Sequence, residues 1–97
     1  MEKRSNSYIL ALELSAYANG SITPAKKMEI SVTNHDELFS IIERISEKNL
    51  FDEPQQSAEL AIGLKLFTEV TLKNRHHPLF EELAPAIATF IKKLKAA

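Results

Sequence analysis

Apolar and polar positions alternate from the eighth residue. Tyr8, Leu10, Leu12 and Leu14 fall on one side, and Ile9, Ala11, Glu13 and Ser15 on the other. Period two predicts a strand with one strongly buried face, because successive strand side chains point to opposite sides. Asn19-Gly20 tolerates positive φ and predicts a turn. Pro24 cannot donate to a ladder, which places the loop at about 18–25. A second strand follows over 26–33 with Met28, Ile30 and Val32 inward, and the two strands form an antiparallel hairpin.

The period then lengthens. Asn34-His35-Asp36-Glu37 has the form of a capping box with Asn34 as the cap, opening a helix that runs to about Lys48. Leu38, Ile41, Ile42 and Ile45 make its stripe, and Asn49 is its left-handed stop. Asp52 is the expected cap of a second helix, with Glu53 and Pro54 in its first turn. Leu60, Leu64, Leu66, Phe67 and Val70 share one wide arc of that helix, and Lys65, Glu69 and Lys73 form a ladder on the opposite, wet face. Gly63 sits inside the arc, where a glycine predicts close approach by another backbone. Ile62 and Leu72 stand off the arc. A polar elbow, Asn74 to Pro78, follows, with Asn74 as a left-handed cap. Leu79, Phe80, Leu83, Ile87, Phe90, Ile91 and Leu94 share an arc across Pro85. That phase predicts one helix from Pro78 to about Lys95, bent around a solvent-facing proline.

The pattern predicts an α+β fold in the order ββααα: a two-stranded antiparallel hairpin packed against three helices, in one domain over 1–97 with residues 1–6 frayed. The expected core is Leu10, Leu12, Ile30, Val32, Leu38, Ile42, Ile45, Leu64, Phe67, Val70, Leu83, Ile87, Phe90 and Leu94.

Composition narrows the function classes. Ninety-seven residues with 44% hydrophobic and 26% charged side chains suit a modest folded core rather than disorder. A net charge of −1 argues against a general nucleic-acid binder, which needs a basic excess to neutralise phosphates. The absence of cysteine removes thiol nucleophiles, thiolate metal sites and disulfides. Lys3-Arg4, the apolar run from Tyr8 and Ala16-Tyr17-Ala18 imitate a signal peptide, but Glu13 interrupts the run and its apolar residues alternate as in a strand. A cytoplasmic location is expected, with no membrane span.

The run Gly63-Leu64-Lys65-Leu66-Phe67, then Glu69-Val70, Leu72-Lys73-Asn74-Arg75 and Pro78-Leu79-Phe80 resembles a small bacterial family known only as a domain of unknown function. Phe90, Lys92-Lys93-Leu94-Lys95 and the upstream Asn34-His35-Asp36-Glu37-Leu38-Phe39 extend the resemblance over most of the chain. It implies a bacterial, cytoplasmic α+β protein, and it implies no activity, cofactor or catalytic residue.

Candidate chemistry is sparse. His76-His77 are adjacent, so their side chains diverge, and no third ligand is near in sequence. Glu81-Glu82 are about 100° apart on a helix and do not face each other. The lysines at 92, 93 and 95 are what a helix C-terminus favours. No catalytic residue, metal site or cofactor is assigned, and the chain reads as a non-enzyme. Lys73, Asn74, Arg75 and His77 could form an anion pocket at the elbow, beside the free N–H groups of the last helix. Capping explains the same residues. The expected role is a small interaction or accessory protein that binds a protein partner or itself, with a homodimer favoured. Ile9, Ala11, Ile62 and Leu72 are the candidate interface, and the alternative is an anion- or small-ligand-responsive regulator at the elbow.

Overall fold

The computed structural model describes residues 4–97 and shows two antiparallel strands followed by three helices. The chain divides into two compact units, Met1–Asp36 and Glu37–Ala97. Of the expected frayed segment, residues 1–3 lie outside the described residues, and Asn6 already belongs to the first strand.

In the first unit, β1 (Asn6–Glu13) pairs antiparallel with β2 (Lys27–Asn34), in register from Asn6 opposite Asn34 to Glu13 opposite Lys27. Leu10 therefore faces Ile30 and Leu12 faces Met28, so the apolar sides of both strands coincide. The expected Asn19-Gly20 turn forms. Gly20 has φ 88°, its N–H donates to the Tyr17 carbonyl at 2.9 Å, and Asn19 Oδ1 accepts from Ser21 N at 2.9 Å. Tyr17 OH donates to the Pro24 carbonyl at 2.7 Å, tying down the loop, in which the Thr23–Pro24 peptide is cis.

Asn34 does not cap a helix. It is buried at the end of β2, and its Oδ1 accepts from Asp36 N at 2.9 Å in a local turn. The Asp36 carbonyl accepts from Tyr8 OH at 3.1 Å and Asn6 Nδ2 at 3.2 Å. With Asn34 committed to that turn, α1 (Leu38–Glu47) starts later and is capped by Glu37. The Glu37 carboxylate accepts from Phe39 N at 2.6 Å and from Ser40 Oγ at 3.2 Å. Glu37→Ala is expected to cost about 1 kcal/mol, the usual worth of an N-cap, read as a lower urea midpoint with an unchanged slope. Asn49, at φ 50°, is the expected left-handed stop.

The second helix, α2 (Gln55–Lys73), follows Pro54 without a side-chain cap, so Asp52 does not serve as one. α1 and α2 pack together. The buried residues are Leu38 and Ile45 on α1, and Ser57 and Ala61 on α2. The packed face of α2 is thus centred on small side chains, not on Phe67 and Val70, which are both exposed. α2 carries apolar residues on most of its circumference, so its period says little about which side turns inward. Small residues decide instead, because they let two helix axes approach. Lys65 and Glu69, expected on the wet face, are half-buried.

Gly63 shows no close approach: a Cβ there would meet nothing within 4 Å. Gly63→Ala is accordingly expected to stabilise the protein by about 1 kcal/mol, raising the melting temperature by about 4–8 °C in a domain of this size.

The last helix is interrupted where continuity was expected. Pro78–Phe80 form a single 3-10 turn, Glu81 and Glu82 follow, and α3 runs over Leu83–Ala96. Pro85 is therefore the third residue of α3, exposed, in the first turn, where no intrahelical partner exists for the N–H it lacks. The shared arc across Pro85 reflects α3 starting two residues before it.

Several expected core positions are open. Leu12 (67% exposed), Ile30, Phe67, Val70, Leu83 and Phe90 are all exposed, and no residue of α3 is fully buried. Among the described residues, no helix is long and apolar enough to cross a membrane.

Candidate functional site

The elbow is built by capping. Asn74 ends α2 with φ −127° and ψ 36°, outside the left-handed region, and caps through its side chain: Nδ2 donates to the Val70 carbonyl at 2.9 Å. His77 Nδ1 accepts from Leu79 N at 3.1 Å, so one ring nitrogen serves as the cap of the 3-10 turn. Its ring lies 6.0 Å from that of Phe80, which meets Phe67 edge-on at 6.4 Å. Lys73, Arg75 and His76 are exposed, as is His77. Asn74 thus gives one of its two amide N–H groups to the local backbone, and His77 uses Nδ1 as an acceptor, which leaves Nε2 as its donor. Among the described residues, no group of three His, Cys, Asp or Glu side chains could hold a metal ion. His35 is exposed on the surface, with Nε2 3.7 Å from Asp36 Oδ1.

Two other features emerge. The first is a cleft of ≈470 Å³ within the helical unit. Ile41 and Ile45 of α1, Leu64 of α2 and Ile91 and Leu94 of α3 supply its apolar wall, and Arg44, Glu47, Lys48, Lys65 and Lys95 its polar rim. The ends of α1 and α3 are tied together there, because Lys48 Nζ donates to the Lys95 carbonyl at 3.2 Å and the Ala97 carbonyl at 2.9 Å. The sequence placed most of these apolar residues on inward stripes and read the lysines near the end of α3 as dipole caps. What it lacked was any sign that the three helices leave a space between them.

The second feature is uncovered apolar surface. On the hairpin, Leu12, Met28 and Ile30 are exposed side by side on the face meant for the core. On the helices, Phe67 and Val70 of α2 and Leu83 and Phe90 of α3 are exposed. Of the residues expected at an interface, Ile9 is 74% and Leu72 50% exposed, Ala11 is exposed on the opposite face of the hairpin from Leu12, and Ile62 is half-buried.

No curated protein matches the chain. A crystal structure of a protein of unknown function from Pectobacterium atrosepticum SCRI1043 is similar over 97% of this chain and 100% of its own, with 30% sequence identity and a TM-score of 0.83. A family model, DUF3861, a domain of unknown function with a solved structure, matches residues 6–96. Near-complete coverage by that model and by a full-length relative shows that the chain belongs to the DUF3861 family.

Proposed function

We propose that the protein is a non-enzymatic interaction protein that works as a homodimer, in which the hairpin of each copy covers the helical apolar surface of the other. One observation carries this reading: large apolar side chains are exposed both on the hairpin, at Leu12, Met28 and Ile30, and on the helices, at Phe67, Val70, Leu83 and Phe90. Exposed apolar side chains that lie together, as Leu12, Met28 and Ile30 do on the hairpin, mark an interaction surface more often than free solvent exposure. A two-fold arrangement suits two unlike faces, because each contact it makes is made twice. It also suits the hairpin, since an isolated two-stranded ribbon is marginal in water.

The magnitudes allow a dimer of moderate strength. Completing the burial of a half-exposed large side chain is worth about 1 kcal/mol. The seven side chains per copy then give roughly 14 kcal/mol for the pair, against an association cost of about 4–15 kcal/mol. Micromolar affinity fits that margin. Aromatic residues in the helical face suit an interface core, where aromatics are enriched and charge is depleted. Light scattering over a dilution series tests the reading: a species near twice the 10.9 kDa chain mass is expected at high micromolar concentration. A single species at the chain mass throughout would overturn it.

A further inference from the structure

The cleft between the helices combines an apolar wall with a cationic rim, and we infer that it binds an aliphatic monocarboxylate, its chain lying along Ile41, Leu64, Ile91 and Leu94 and its carboxylate at Arg44 and Lys95. This inference stands apart from the dimer. The volume, ≈470 Å³, is within the range of small-molecule sites. An apolar wall made by three helices gives a flexible chain a water-poor surface on several sides. The wall itself, Ile41, Ile45, Leu64, Ile91 and Leu94, carries no polar side chain to read a sugar or a base.

Charge selects the head group. Arg44, Lys48 and Lys95 line the cleft against one acidic side chain in the lining, Glu47. The C-terminal ends of α1 and α3 are also here, and each helix end contributes about half a negative charge. The cations still outweigh both helix ends and Glu47. Lys48 is held by the carbonyls of Lys95 and Ala97. That contact fixes the wall where α1 and α3 meet and leaves Arg44 as the planar fork matched to a carboxylate. Both Arg44 and Lys95 are exposed, so the head group stays at the mouth and only the chain leaves water.

Decanoate is the probe, compared with decanol, which has the same chain and no charge. Amide NMR titration below the micellar range is expected to give saturable shifts at Ile41, Leu64 and Ile91, with decanoate binding at least about tenfold tighter than decanol, the gain of one charge-assisted contact. The double variant Arg44→Ala, Lys95→Ala should lose that tenfold preference while leaving decanol binding unchanged, a readout that general loss of structure would not give. Equal binding of the two probes, or shifts centred on Phe67 and Phe90 instead of the cleft, would overturn the inference. So would decanoate binding that appears only as the scattering mass falls by half, because the cleft would then belong to the contact between copies.

Discussion

Ile45→Ala is expected to cost about 2–4 kcal/mol, a large share of the roughly 5–15 kcal/mol by which a small domain is stable. Ile45 is 4% exposed, and Leu38 and Ala61 are the other buried apolar residues of the helical unit. With so few closed positions, each carries more of the packing between α1 and α2. Removing three carbons there loses their transfer energy and opens a hole that rigid helix backbones only partly collapse into. Phe39 is the control. It lies on the same helix, is larger, and is 69% exposed, so Phe39→Ala should stay within about 0.5 kcal/mol. Urea unfolding of the two variants gives the comparison. Equal losses would mean that burial in a single chain is the wrong guide to what holds α1 in place.

The hairpin was legible in the sequence because it is specified locally. Alternation, Asn19-Gly20 and Pro24 each act within a few residues, and each is found in its expected role or loop. Element order was legible for the same reason. Helix starts were less so. Asn34 has the right side chain for a cap, but it is used one turn earlier, closing the end of β2 through Asp36 N. Choosing between two local uses of one side chain needs the hydrogen-bond partners that tertiary structure brings, here the Asp36 carbonyl receiving Tyr8 OH. The inward face of α2 was illegible because its apolar residues encircle it. Ser57 and Ala61 carry little hydrophobicity, yet they are the positions that close. The cleft was least legible, since it arises from how far apart three helices stand, and no residue pattern encodes that distance. Its polar rim is made of residues that are equally at home as solvated helix ends.

Because the chain has no cysteine, the proposed exchange of faces can be tested by placing single thiols. Leu12→Cys and Val70→Cys each change one exposed residue, the first on β1 and the second on α2. Mixed and treated with a short bis-maleimide, the two variants are expected to give a covalent product of twice the chain mass in far greater yield than either alone. A hairpin facing a hairpin would instead cross-link Leu12→Cys with itself, and a helical interface would do the same for Val70→Cys. Either result would replace the arrangement proposed here. Energetics gives a second measure. Leu12→Glu puts a charge where an apolar contact is proposed, and such a charge must keep its water or lose its solvation. A dimer of micromolar affinity, about 8 kcal/mol, loses that contact twice across a two-fold axis. Dimer affinity should therefore fall by about 100-fold or more, the equivalent of roughly 3 kcal/mol. Ile9→Lys, on the opposite face of the same strand, should leave affinity unchanged. If Ile9→Lys dissociates the dimer and Leu12→Glu does not, the copies meet through the other face of the hairpin, and Leu12, Met28 and Ile30 are simply solvent-exposed.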